Sequence, residues 1–161
     1  MKRAGTLASA LLGTILLPAA VRAQAIQGPR TLLKEVEGVV RAYAAAHDAG
    51  NAAALAALFD SGAAVTLAED GQLRRGWKAI RAYLDTLLQP SRLYGGKLEL
   101  RAINVTALGP ENALAVVAFT EGLLLDPKDR FPGVMTAVFH RMDGQWRAIS
   151  IHKSSVPMSG E

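Results

Sequence analysis

His47, Glu121 and His152 are the residues of this chain best suited to moving protons on a bound molecule. An imidazole titrates near neutral pH, so His47 and His152 can each take up or release a proton there. His47 stands one helical turn after Tyr43 at the end of an apolar stripe. Glu121 follows the run Ala113–Phe119 and shares a strand face with Ala115, Val117 and Phe119. A carboxyl buried against such a face is expected to have a raised pKa and to serve as general acid or base. Tyr43 and Tyr83 offer phenols as hydrogen-bond donors. Each of these groups also has an ordinary structural role open to it: hydrogen-bonded core imidazoles for the histidines, a solvated or arginine-paired rim carboxylate for Glu121.

The dipeptide Asp143-Gly144 between two apolar runs predicts a two-residue hairpin turn. It pairs Met142 with Gln145, Arg141 with Trp146 and His140 with Arg147. Extending that ladder without interruption sets His152 opposite Met135 and puts His140 and His152 on opposite faces. They cannot then share a metal, and no His-x-x-x-His or carboxylate–His spacing occurs elsewhere, so no metal site is expected. Arg141 and Trp146 are expected to stack across the strands. With no cysteine, thiolate chemistry and disulfides are excluded. No glycine-rich phosphate loop or Gly-x-Ser-x-Gly elbow appears, and no cofactor is implied. Asn104-Val105-Thr106 falls inside a predicted strand and reads as chance rather than as a glycosylation acceptor.

The elements that must position these groups are legible from periodicity. Leu32, Leu33, Val36, Val39, Val40, Tyr43 and His47 recur at helical spacing, predicting a helix from a Thr31 cap to about Asp48. Gly50 fits its C-terminal cap, and Asn51 the N-cap of a short helix carrying Leu55, Leu58 and Phe59. Ala63–Ala68 and Gln72–Arg75 read as strands joined at Asp70-Gly71. Trp77–Leu88 returns to helical periodicity until Pro90. Lys97–Ala107, Asn112–Leu124, Gly133–Met142 and Gln145–Lys153 are strands rich in branched apolar residues. Helices first and a long antiparallel sheet last is an α+β pattern.

The 161 residues suit one domain. The net charge of +4 arises largely from Lys2, Arg3 and Arg22; without them 15 basic residues face 14 acidic ones. No nucleic-acid partner is therefore expected. Residues 1–23 have the charged start, apolar stretch and small-residue cleavage site of a secretory signal, cut after Ala23 or Ala25. An uncleaved anchor is the alternative. A linker at 24–30, a domain at 31–155 and a tail at 156–161 complete the division. After cleavage, a periplasmic or secreted location without stable membrane insertion is expected.

Tyr43, Ala49-Gly50-Asn51 and Leu58-Phe59, followed by Gly76-Trp77-Lys78-Ala79-Ile80 and then by Asp143-Gly144-Gln145-Trp146 and His152-Lys153-Ser154, occur in an informative order. In that order and spacing the chain resembles the nuclear transport factor 2-like superfamily, in particular its SnoaL-like, polyketide cyclase-like branch. The resemblance implies a cone-shaped α+β fold, with N-terminal helices packed on a curved antiparallel sheet around a pocket, and a homodimer formed through the sheet. Tyr43, Phe59, Trp77, Tyr83, Phe119 and Trp146 are the residues expected to bind a small, mostly apolar organic ligand there; Tyr94 is a further aromatic near them. Relatives often carry an acid three positions after the phenylalanine, where this chain has Gly62, with Asp60 the nearest acid. Fold alone supports three functions: small-molecule binding, cofactor-independent acid/base catalysis (isomerase, cyclase, dehydratase or hydrolase), or assembly.

Overall fold

A computed structural model describes residues 29–69, 71–88, 97–122 and 130–156. The expected signal segment, most of the linker, Tyr94 and most of the C-terminal tail lie outside the described residues. The elements in chain order are α1 (Arg30–Asp48), α2 (Ala52–Ala56), β1 (Thr66–Glu69), β2 (Gln72–Arg75), α3 (Trp77–Leu87), β3 (Leu98–Ala107), β4 (Asn112–Gly122), β5 (Arg130–Met142) and β6 (Gln145–Ser155). No helix among the described residues is long and apolar enough to cross a membrane.

Helix α1 forms because its apolar residues return every three or four positions: Leu32, Val36, Val40, Tyr43 and His47 are all buried along one side. Its cap lies two residues earlier than predicted, at Pro29 rather than Thr31, with no side-chain cap bond. Asn51 does cap α2, its side chain accepting from the Ala54 amide at 2.9 Å. In α3, Ile80 and Leu84 are the buried residues.

The six strands lie in the order β2-β1-β6-β5-β4-β3, so β2 and β3 are the edges and the sheet does not close. The sheet is mixed rather than purely antiparallel, because β1 runs parallel to β6. The cause lies just before β1. Phe59 bridges Ala148 in parallel sense, and the Asp60 amide donates to the Ala148 carbonyl at 2.9 Å. The chain therefore enters the sheet alongside β6, and β1 continues in that direction. The inner face carries Ala113, Ala115, Val117 and Phe119 from β4 and Met135, Ala137 and Phe139 from β5, all buried under the helices. The four small alanines at positions 113, 115, 137 and 148 let helices approach the sheet closely.

The β5–β6 turn has the predicted form: Asp143 and Gly144 both have positive φ, 51° and 76°. Met142 pairs with Gln145, Arg141 with Trp146 and His140 with Arg147, as the turn requires. Beyond that the ladder shifts. Phe139 pairs with Ala148 and Val138 with Ser150, leaving Ile149 as an extra residue. This bulge reverses the facing of β6. Trp146 and Ala148 point inward before it; Ile151 and Lys153 point inward after it.

Candidate functional site

The bulge decides which residues of the last strand can reach the interior. His152 pairs with Thr136, not Met135, and is exposed on the outer face, which it shares with His140. The expectations that His152 approaches the cavity of His47, and that the two strand histidines face opposite ways, are both corrected by this one inserted residue. Lys153 takes the inward position instead.

Lys153 lies in a row of directly paired residues running Glu69, Lys153, Met135 and Val117 across β1, β6, β5 and β4. Its ammonium donates to Glu69 Oε1 at 2.9 Å. It also reaches diagonally over β5 to Glu121, with Oε2 at 2.9 Å and Oε1 at 3.1 Å. The reach depends on Gly133. A Cβ there would sit 2.3 Å from Phe119 Cζ and 2.5 Å from the Ser154 carbonyl oxygen. With no side chain at 133, the Phe119 ring lies across the gap, and the ammonium passes 5.5 Å from its centroid.

Two further branches complete the cluster. The Tyr83 hydroxyl, from α3, donates to Glu69 Oε2 at 2.7 Å. His47, from the end of α1, faces Glu121 Oε1 with Nε2 at 3.4 Å and Asp48 Oδ1 with Nδ1 at 3.5 Å. Asp48 is itself fixed by accepting from the Leu98 amide at 2.7 Å. The side chains of His47, Lys153 and Glu69 are 3%, 5% and 8% exposed; Glu121 is 19% exposed, and Asp48, at 33%, lies nearer solvent. Two carboxylates thus share one buried ammonium, with an imidazole and two phenols nearby.

The electrostatics follow. Burial alone would raise the Glu121 pKa, but His47 and the Lys153 ammonium more than reverse this and lower it to about 2. Glu121 is therefore a carboxylate at neutral pH, and the expected raised pKa is corrected, because a buried cation lies against it. Burial disfavours a charged Lys153, yet Glu69 and Glu121 outweigh it and push the ammonium pKa up. Burial, then the charge of Glu69, raises the pKa values of Tyr43 and Tyr83, so both phenols remain donors.

Of the aromatic residues expected to line one pocket, Tyr43, Tyr83 and Phe119 join this cluster. Phe59 and Trp77 do not. They line a separate cleft of about 340 Å³ beside Asp60, Ser61 and Arg147, near the β5–β6 turn. Arg147 there donates to the Ala57 carbonyl. Trp146 is different again: buried under the start of α1, its Nε1 donates to Glu35 Oε2 at 2.9 Å, and Arg141 lies over it at 5.7 Å. That is a structural clasp. Among the described residues, no group of three histidine or carboxylate side chains is placed to hold a metal.

Lys153 and Glu69 are not singled out by sequence reasoning, and Arg74 reads from the sequence as part of a small basic cluster with Arg75, Lys78 and Arg81 on a solvated face, whereas its side chain is half-buried against Tyr83. One signal was available for Lys153. Trp146 and Ala148 set one apolar parity along β6, while Ile149 and Ile151 set the other. A change of apolar parity within one strand marks a bulge.

Residues 36–159 match the family model described as a SnoaL-like domain. No curated protein matches the chain. Among solved structures, the chain is similar to a proposed dehydratase of the nuclear transport factor 2-like family from Streptomyces avermitilis, with 20% identity, 80% of this chain and 99% of that one covered, and a TM-score of 0.70. A nuclear transport factor 2-like protein of unknown function from Pseudomonas putida KT2440 gives 20% identity, 81% and 92% coverage and a TM-score of 0.69. A proposed aromatic ring hydroxylase from Novosphingobium aromaticivorans gives 17%, 84%, 96% and 0.68 for the same quantities. At these identities the structural likeness speaks for the fold.

Proposed function

The chain belongs to the SnoaL-like domain family, and on that premise we propose that it binds a small organic molecule beside Glu121 and moves a proton on it through His47. The observation that carries this is the buried His47–Glu121 pair, 3.4 Å apart, with the other imidazole nitrogen lacking a hydrogen-bond partner. A buried polar atom left unpaired costs stability, and a buried ion cluster is commonly no more stable than an apolar replacement. Such costs concentrate at functional sites.

In this mechanism the Nε2 proton of neutral His47 points at ionised Glu121, which orients the ring. Nδ1 then carries the lone pair and takes a proton from the substrate. The imidazolium so formed lies between Glu121 and Asp48, two carboxylates that stabilise it. The same proton is returned to another atom of the substrate or to its leaving group, as isomerisation, dehydration or cyclisation requires. Tyr43, held protonated, is available to donate to a developing oxyanion. The Streptomyces relative proposed as a dehydratase supports a reaction of this kind.

Native mass spectrometry of the protein recovered from the cells that make it would identify a retained molecule. That molecule is then offered to the wild type and to His47→Gln. Conversion by the wild type, reduced about 100-fold or more in the variant, is expected for a general base. Retention without conversion would replace catalysis by the second reading, pure binding, which the complete pairing of Lys153 by two glutamates favours.

The proposal includes export directed by residues 1–23, for which amino-terminal sequencing of the mature protein is the test. It also includes a homodimer through the outer sheet face, where Val116 and Val134 are exposed. Light scattering tests that.

A further inference from the structure

Among the described residues, two buried side-chain polar atoms lack a hydrogen-bond partner: His47 Nδ1 and Arg74 Nη1. They are not scattered. Starting from His47, contacts run to Glu121, to Lys153, to Glu69 and to the Tyr83 hydroxyl. Arg74 comes next, its guanidinium carbon 3.4 Å from the centroid of the Tyr83 ring. The two unpaired atoms therefore stand at the two ends of one continuous chain of interactions. Every internal member has its partner; each end has one polar atom without a partner.

The two ends differ in chemistry. His47 offers a nitrogen that can accept or release a proton. Arg74 offers only donors and carries a permanent charge. Its place is set by the backbone: Arg74 pairs with buried Leu67 on β1 and so points to the inner face from the edge strand. Stacking on Tyr83 holds the guanidinium plane in place. The two carboxylates of the cluster do not satisfy it. Glu69 is taken by Lys153 and Tyr83, and Glu121 by Lys153 and His47. A buried guanidinium N–H without an acceptor is a strong demand, and the acceptor that suits its planar fork best is a carboxylate.

We infer that the molecule taken by this site is a small organic acid whose carboxylate pairs with Arg74. This rests on the proposal that the inner-face cluster binds a small molecule, and it adds the substrate class. The negative charge enters beside the Arg74 end, and the proton-transfer group stands at the other.

Benzoate and its neutral counterpart benzyl alcohol are suitable probes. Their affinities for the purified protein are measured by calorimetry, and the site of binding is mapped from amide shifts around Tyr83 and Lys153. Benzoate is expected to bind at least about tenfold more tightly than benzyl alcohol, as a charge-assisted pair implies. Arg74→Met should abolish that preference, with circular dichroism confirming the fold. Arg74→Lys, which keeps the charge but not the fork, should retain part of it. Equal binding of the two probes near Tyr83, unaffected by Arg74→Met, would overturn the acid class and leave a small-molecule site in place. Failure of both probes to bind, or binding of both elsewhere on the protein, would overturn the site itself together with the inference.

Discussion

The two ends of α1 make opposite use of the same sheet. At the start of the helix, Glu35 accepts from buried Trp146 and pairs with Arg141 at 3.4 Å. Glu35 and Arg141 are each more than a third exposed, so water completes their solvation. Twelve residues on, about 18 Å along the axis, His47 meets Glu121, Lys153 and Glu69 in the interior. The first end is an apolar contact with a polar edge, the ordinary way to dock a helix on a sheet. The second places four ionisable side chains out of water and leaves an imidazole nitrogen unpaired. Stability alone explains the first and gives no reason for the second.

The bulge at Ile149 separates these regimes. Before it, β6 turns Trp146 inward; after it, the same strand turns Lys153 inward. Replacing Lys153 by Met should therefore produce the largest effect, leaving Glu69 and Glu121 buried without their cation. A loss of about 3–5 kcal/mol in urea-induced unfolding is expected. Smaller than about 1 kcal/mol, and the cluster is wetter than its geometry implies.

The pH dependence of stability should also single out the Lys153 end. Glu121 has a folded pKa of about 2, below its unfolded value of 4.5. It therefore contributes stability above pH 4.5, which is lost as pH falls from 4.5 towards 2. The shift corresponds to about 3 kcal/mol. Glu121→Gln should flatten the unfolding free energy across that window. An unchanged acid slope in this variant would remove Glu121 from the pair.

Gly133→Ala tests the backbone support of the same end. Its Cβ would meet the Phe119 ring and the Ser154 carbonyl, so Phe119 must shift and the path from Lys153 to Glu121 with it. A loss of about 1–3 kcal/mol is expected, with a smaller acid-induced change than in the wild type. Glu35→Gln at the other end should cost less than about 1 kcal/mol, since the amide oxygen still accepts from Trp146 and only an exposed ion pair is lost. A larger loss there would erase the contrast between the ends.

The elements were legible because their signals are local. The α1 stripe from Leu32 to His47, the Asn51 cap and the Asp143-Gly144 turn each depend on residues within a few positions, and each was read correctly. Register next to the turn was equally readable. The candidate site was half legible. Periodicity points to Tyr43, His47, Phe119 and Glu121, whereas an uninterrupted ladder beyond Ile149 points to His152 and leaves Lys153 unremarked. The Glu121 pKa was misjudged for the same reason: its sign depends on a cation brought from two strands away, and no local pattern encodes that. Glu69 enters through β1–β6 pairing, a parallel contact between segments about 80 residues apart, and Arg74 follows through the β1–β2 pairing.

The central claim is that the buried cluster is kept for function at a cost in stability. The most direct test combines Glu69→Leu, Glu121→Leu and Lys153→Met in one protein and measures urea stability and retained small molecule together. All three charges then leave at once, and only the Tyr83 hydroxyl and His47 Nε2 lose an acceptor. The triple variant is expected to be at least as stable as the wild type, and to lose the molecule that native mass spectrometry finds on the wild type. A triple variant that is several kcal/mol less stable, or that still carries the same molecule, would contradict the claim and make the cluster a structural device.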